Sequence, residues 1–452
     1  MISASRRDTR FRVSADQARA LVAAYGTPLY VIDEAHLRER IRTYRDAFAA
    51  AYPRCETHYA SKANSTLVVL AIAAQEGCSI DVASEGEFRA ALAAGVPASR
   101  CHLHGNNKSP EEIRFAVDQG VGKIVADNFG ELEFLGELVR GGKPMPEIVL
   151  RLAPGVDPLT HAKISTGQAD TKFGFNITDG SAERATLRCR ALGLPLVGFH
   201  CHVGSQLLDP EAQRSGGELI ARFAVEMKAR HGFETKYLNV GGGLGVSYTP
   251  QDQPMGIADY CRLVVEAVIA VLDGSGLEPT LAQEPGRALV AESGVTLYRV
   301  GNVKTVPSKA VGQRTYVCVD GGLSDNPRPA LYGARYDVER VATARGDDWT
   351  YVADGPGALA FSLSGSQIVT VSGKHCETDK LFEDVELPTD VEAGDILQVL
   401  VTGAYNASMA SNYNRYPRPA TALLRRDGTH VLAQRRDTWD EMFARESVPE
   451  GL

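Results

Sequence analysis

The chain has 452 residues, 44% hydrophobic and 23% charged, with a formal net charge of −8. That length exceeds one ordinary core and predicts two domains, or a barrel with an added module. The acidic balance excludes a general nucleic-acid binder, which carries a basic excess, and no apolar run is long enough to span a bilayer.

The Ser/Arg-rich start, Met1 to Arg12, has no apolar core and does not read as a secretory signal; a short disordered start is expected. Pro28-Leu29-Tyr30-Val31-Ile32 then reads as a strand. Eight β-leaning runs follow, at 56–62, 79–84, 101–106, 123–128, 147–154, 196–204, 236–243 and 279–286. Between them, 67–75, 85–94, 111–119, 130–140, 219–230 and 257–272 carry apolar residues at helical period. Ser109 and Pro110 form a helix start, as N-cap and first helical residue.

Eight strands alternating with helices over about 250 residues predict an N-terminal (β/α)8 barrel of TIM type. A doubly wound sheet is the weaker alternative, since it rarely needs eight strands. The long connection 160–176 is expected to carry a functional insertion. Beyond Arg287 the pattern changes to 295–304, 315–320, 367–371, 396–401 and 420–424, strand-like runs with Gly, Pro and Asp turns. A C-terminal β-sandwich or β-barrel domain is therefore expected, with the 28–32 strand joining it. The boundaries read as a barrel over 33–290 and a β domain over 1–32 and 291–452. Eight cysteines without a C-x-x-C pair fit reduced thiols in a cytoplasmic protein.

Reactive groups of such barrels gather at the C-terminal strand ends. Here those ends offer Lys62, Ser84-Glu85, His104, Asp127-Asn128, Arg151, His200 and His202, Gly241-Gly242-Gly243, and Glu284 with Arg287. Glycines after the seventh and eighth strands suit a phosphate, because backbone N–H groups can approach its oxygens. A lysine, a phosphate cradle and a carboxylate together match pyridoxal 5′-phosphate, which takes a Schiff-base lysine and a partner for its ring nitrogen. A carboxylate there, Glu284, keeps that nitrogen protonated and the ring a strong electron sink. The competing arrangement is a metal held by His200 and His202 or by His102 and His104. A metal leaves Lys62 and the glycines unexplained, so no metal is expected. His102 and His104 then read as hydrogen-bonded interior histidines, and His202 as a ring stacked on the cofactor.

At these residues the chain resembles a known family. Tyr59-Ala60-Ser61-Lys62-Ala63-Asn64, His200-Cys201-His202-Val203-Gly204-Ser205-Gln206, the triple glycine and Glu284-Pro285-Gly286-Arg287 are similar, in order, to motifs of the fold-type III pyridoxal-phosphate decarboxylases, the alanine racemase-like barrel family. Further stretches narrow the resemblance to the branch acting on diaminopimelate. They are Ile164-Ser165-Thr166-Gly167, Lys172-Phe173-Gly174-Phe175, Arg328-Pro329-Ala330-Leu331-Tyr332, Gly373-Lys374-His375-Cys376-Glu377, Gly403-Ala404-Tyr405 and Tyr413-Asn414. One departure is Asp379, three residues after the cysteine where the family often has an acid at four.

The resemblance implies decarboxylation of meso-2,6-diaminopimelate to L-lysine and carbon dioxide, the last step of lysine biosynthesis by that route. It implies Lys62 as cofactor anchor and His202, Ser205, Gly241, Gly242, Gly243, Glu284, Gly286, Arg287 and Tyr405 as further cofactor contacts. Arg287, Arg328, Tyr332, Glu377 and Tyr405 would hold the substrate. Cys376 would be the general acid, delivered from the partner subunit of a homodimer; a thiol suits that task near neutral pH. Arginine forks favour a substrate with a second carboxylate. A decarboxylase of ornithine or arginine, or a racemase on the same fold, is the alternative. Glu284 weighs against the racemase.

Overall fold

The computed structural model describes residues 10–155, 171–344, 365–377 and 380–452. The chain divides into two compact units, one of Arg38–Ser247 with Asp252–Leu289, the other of Met1–Leu37, Tyr248–Gln251 and Val290–Leu452. Most of the 160–176 connection, Ile164-Ser165-Thr166-Gly167, Asp379 and most of the Met1–Arg12 start lie outside the described residues.

The first unit is a closed parallel barrel. Its strands are β1 (Cys55–Ala60), β2 (Ser79–Val82), β3 (Cys101–Leu103), β4 (Lys123–Ala126), β5 (Glu147–Ala153), β6 (Leu196–His200), β7 (Tyr237–Asn239) and β8 (Thr280–Gln283). Each pairs in parallel with its neighbours, and β8 closes the ring on β1 through Leu281 opposite Cys55. A two-residue strand, Phe175–Asn176, extends the sheet beside the end of β5. Helices Leu67–Gln75, Glu85–Ala93, Pro110–Asp118, Phe129–Arg140, Ser181–Leu192, Glu211–His231 and Ile257–Leu272 follow the first seven strands in turn.

Several of these helices start on caps just past a strand end. Ser84 accepts from Glu87 N, Asn128 accepts from Glu131 N, and Ser109 forms a reciprocal pair with Glu112 behind Pro110. The chain therefore turns sharply at the lip where the reactive residues sit. Helix Ser181–Leu192 is not anticipated by the sequence pattern. Its buried face is Ala182, Ala185, Thr186 and Cys189 rather than large aliphatics, which leaves little apolar periodicity to read.

Inward positions along the strands alternate. Val125, Val149, Tyr237 and Ala282 pack as one apolar cluster. Polar residues form a second group near the strand starts: Glu56 Oε2 lies 3.2 Å from His58 Nε2, and the His58 and His102 rings meet edge to face at 4.2 Å. So many buried polar groups are costly unless paired, which is why the interior forms networks.

The second unit is built on one branched, mostly antiparallel sheet of nine strands among the described residues. The expected barrel with an additional β domain is thus the fold observed, the β domain being one continuous branched sheet. Leu29–Asp33 pairs antiparallel with the start of Gly294–Ser308 and parallel with Ala420–Leu424. The 15-residue strand Gly294–Ser308 is the hub. A bulge between Val300 and Asn302 separates its first half, paired with Ile396–Val399, from its second, paired with Gly312–Val319. Bulges bend a strand in this way and let it serve two directions of the sheet. Strands Val338–Ala342, Lys380–Pro388 and His430–Gln434 are additional to the sequence reading. Among the described residues, no helix is long and apolar enough to cross a membrane.

Candidate active site

In the barrel unit Lys62 sits in a tight turn, Ser61–Ala63, directly after β1. Both flanks are pinned. Ala60 N donates to Pro285 O at 3.3 Å, and the Tyr59 hydroxyl donates to Asn64 O at 2.9 Å. Ser61 Oγ donates to Glu87 Oε2 at 2.7 Å, and that oxygen also accepts Ala83 N at 2.7 Å. Ser61 and Ala63 are buried while Lys62 is exposed. A reachable amine on a rigid base results.

Glu284 lies at the end of β8 and is almost wholly buried. Asn239 Nδ2 donates to its Oε1 at 2.6 Å, and His200 Nε2 meets its Oε2 at 3.1 Å. His104 Nε2 lies 3.1 Å from Oε1 and 3.4 Å from Asp81 Oδ1. Burial pushes the Glu284 carboxyl up, but His104 and His200 outweigh it and hold it well below the usual carboxylate range. Burial pulls His104 down, yet Asp81 and Glu284 raise it above the ordinary histidine value. His200 goes the other way, to about 4, because burial exceeds the pull of Glu284. A carboxylate only accepts, so neutral His200 donates its Nε2 proton to Glu284. Asp81 rises to about 6, chiefly by burial, against the attraction of His104. Glu284 is thereby a buried anion held by His104, His200 and Asn239.

His202, two residues on from His200, is half-buried. Burial, then Lys62 and Arg151, push it well below the ordinary value, so its ring is neutral. Next to it the triple glycine makes a surface that no side chain could share. A Cβ at Gly241, where φ is +73°, would stand 2.4 Å from Cys201 O, and one at Gly242 would stand 2.1 Å from Glu284 O. Gly241 N is bound to Asn239 Oδ1 at 2.8 Å. Arg287, buried just after Gly286, donates to Ser205 Oγ at 3.0 Å. Buried Arg151 stacks over Phe173 at 4.1 Å, and its partner Asp127 accepts Gly174 N at 2.8 Å.

In the other unit Arg328 is buried, donates to the Tyr336 hydroxyl, and lies 4.8 Å above the Tyr248 ring. Burial pulls its guanidinium down, but Tyr248, Tyr336 and Tyr405 raise it above its ordinary value. Tyr332 and Tyr405 are half-buried, Tyr405 with φ at +62°. Glu377 is exposed and accepts the Tyr413 hydroxyl. Cys376 is an exposed free thiol.

Lys62, His202, Ser205, Gly241, Gly242, Gly243, Glu284, Gly286 and Arg287 belong to the barrel unit, and Arg328, Tyr332, Tyr405, Cys376 and Glu377 to the other. Sequence reasoning passed over Asp81, Asn239, Tyr248 and Tyr336, and set His104 aside as an interior histidine. Asp81 and Asn239 had a readable signal, since both keep the inward step of their strands. Tyr248 and Tyr336 had none, because their meeting with Arg328 spans separate loops.

Residues 34–291 match the family model for the pyridoxal-dependent decarboxylase, pyridoxal binding domain. The chain is 41% identical over 425 residues to diaminopimelate decarboxylase of Bacillus subtilis (strain 168), covering 93% of this chain and 92% of that one. It is 42% identical over 435 residues to the same enzyme of Actinosynnema pretiosum subsp. auranticum, covering 95% and 91%. Among solved structures, diaminopimelate decarboxylase of M. jannaschii in complex with L-lysine superposes with a TM-score of 0.84 at 31% identity, covering 98% of this chain and 97% of that one.

Proposed function

The chain belongs to the pyridoxal-dependent decarboxylases, in their diaminopimelate decarboxylase branch, and from that premise we propose that it converts meso-2,6-diaminopimelate to L-lysine and carbon dioxide. The observation that carries the reading is Glu284, a buried carboxylate held ionised at the end of β8 by His104, His200 and Asn239. Pyridoxal 5′-phosphate is the cofactor of this family; when bound it supplies the electron sink for the pair left on the α-carbon after the carboxylate departs. The residues present fit it. A Cβ at Gly241 or Gly242 would run into the backbone oxygens of Cys201 or Glu284, so the chain there is held to bare backbone, and a glycine run at this strand end suits a phosphate approached by N–H groups.

We assign the anchoring amine to Lys62 and the ring contacts to His202 and Glu284. Ser205, Gly241, Gly242, Gly243, Gly286, Arg287 and Tyr405 are assigned to the cofactor's phosphate and ring. A neutral His202 can lie flat on an aromatic face without charge repulsion, and the permanent charge of Glu284 holds a proton on a ring nitrogen. Arg287, Arg328, Tyr332, Glu377 and Tyr405 are assigned to the substrate. Its far end carries both a carboxylate and an ammonium; a guanidinium takes the first in bidentate fashion and Glu377 meets the second. Cys376 holds the proton delivered to the α-carbon, and it serves the site of a second copy in a cytoplasmic homodimer. Residues 33–290 form the cofactor-binding barrel, and 1–32 and 291–452 contribute substrate and dimer contacts, with Tyr405 also reaching the cofactor.

The purified protein, supplied with cofactor and meso-diaminopimelate, should release carbon dioxide and L-lysine one to one. Absence of lysine would refute the assignment.

A further inference from the structure

We propose that His375 is a positioning residue that fixes where the Cys376 thiol is presented. The inference rests on the assignment of Cys376 as proton donor and goes beyond it, since nothing in that assignment says how an exposed thiol is held in place. His375 is buried, with 8% of its surface exposed, between the exposed residues Lys374 and Cys376.

Its imidazole is engaged at both nitrogens. Nε2 accepts Ser324 N at 3.0 Å and lies 2.9 Å from Ser324 Oγ. An N–H can only donate, so Nε2 carries no proton and the ring proton sits on Nδ1. Nδ1 in turn meets Asn414 Oδ1 at 2.9 Å and donates to it. The ring also packs on Tyr413 at 5.5 Å and edge-on to Tyr416 at 5.1 Å. The turn that supplies Ser324 is itself fixed. Gly322 N donates to Asp325 Oδ1 at 2.8 Å, the Tyr30 hydroxyl donates to Asp325 O at 2.6 Å, and Lys374 N donates to Gly321 O at 3.0 Å. With residues 374 and 375 both tied, the Cys376 sulfur keeps little freedom beyond its own side-chain rotamer. The same tyrosine that packs on His375 donates to Glu377, so one clamp sets the bearings of both Cys376 and Glu377.

A proton donor moved by about 1 Å loses on the order of a hundredfold in rate. The test measures kcat and KM of the cofactor-loaded enzyme for His375→Leu, His375→Gln, Cys376→Ala and the Leu/Ala double variant. His375→Leu should lower kcat by roughly tenfold to a hundredfold with KM within about threefold of wild type. His375→Gln, whose side-chain oxygen can accept Ser324 N, should regain much of the loss; recovery no better than that of leucine overturns the proposal. On the Cys376→Ala background His375→Leu should add almost nothing, because there is no thiol left to place. If Cys376→Ala loses turnover but His375→Leu lowers kcat equally on both backgrounds, or not at all, the positioning role is overturned and the thiol's role stands. If Cys376→Ala retains wild-type kcat, the thiol's role falls and this proposal with it. Should the leucine variant not accumulate, Asn414→Ala removes the Nδ1 acceptor and carries the same test: reduced kcat supports the clamp, and unchanged kcat overturns it.

Discussion

Replacing Glu284 with glutamine removes one charge from the centre of the barrel mouth and replaces the oxygen that faces His200 Nε2 with an amide donor. The amide keeps the shape and can still accept from Asn239, which now donates at 2.6 Å. The charge itself acts on His104 at 3.1 Å and on His200 at 3.1 Å. At that separation a full charge pair is worth about 5 kcal/mol with an effective dielectric constant of about 20. Any protonated group that depends on Glu284 loses an interaction of that order. If about half is recovered by the amide dipole and relaxation, roughly 2.5 kcal/mol remains, or close to a hundredfold in kcat. The assay is steady-state carbon dioxide release at saturating cofactor and meso-diaminopimelate, alongside an NMR titration of the histidines. His104, raised at present by Asp81 and Glu284 against burial, should fall toward the low value already shown by His200. A variant that keeps kcat within about threefold of wild type, with His104 still raised, would refute the electrostatic argument.

The β domain makes a separate prediction at Asp325. Burial, only partly offset by the Tyr298 hydroxyl and Gly322 N, pushes this carboxyl up to about 7 from an ordinary 3.8. Between those values the folded state keeps a proton that the unfolded state has released, so this stabilisation is complete at low pH and is lost as pH rises toward 7. The loss is on the order of 4 kcal/mol. Asp325→Asn should flatten that part of the stability–pH curve in denaturant melts at pH 4.5 and 7.5, and an unchanged slope would contradict the assignment. Arg328→Lys keeps a charge but loses the planar fork. It should raise KM for meso-diaminopimelate by roughly tenfold or more, with a smaller effect on kcat; an unchanged KM would remove Arg328 from the substrate's far end. Borohydride reduction of the cofactor-loaded enzyme, followed by peptide mapping, should place the label on the peptide containing Lys62, and a label elsewhere would displace that lysine as anchor.

The barrel was readable because its strands are short runs that end in glycine or polar clusters, and because Ser84, Ser109 and Asn128 announce the helices that follow. The same punctuation exposed Lys62, the triple glycine and Glu284. Where the sequence was silent, the cause was long-range. Glu284 reads as a lone acid until β3, β6 and β7 bring His104, His200 and Asn239 around it. Arg328 reads as a substrate residue, but the partners that bury it, Tyr336 eight residues on and Tyr248 from a distant loop, appear only in the structure. His375 reads as a neighbour of the cysteine, and only the Ser324 turn and Asn414 reveal that it is tied at both nitrogens. Local pattern marks where a chain bends; it does not say which distant groups will share the charge it buries.

The most direct test of the account compares carbon dioxide release from meso-diaminopimelate, ornithine and arginine under one set of conditions. A site with an arginine fork for a second carboxylate should prefer meso-diaminopimelate in kcat/KM by about a hundredfold or more, since the other two bring no carboxylate to that buried cation. Equal or greater turnover of ornithine or arginine would contradict it.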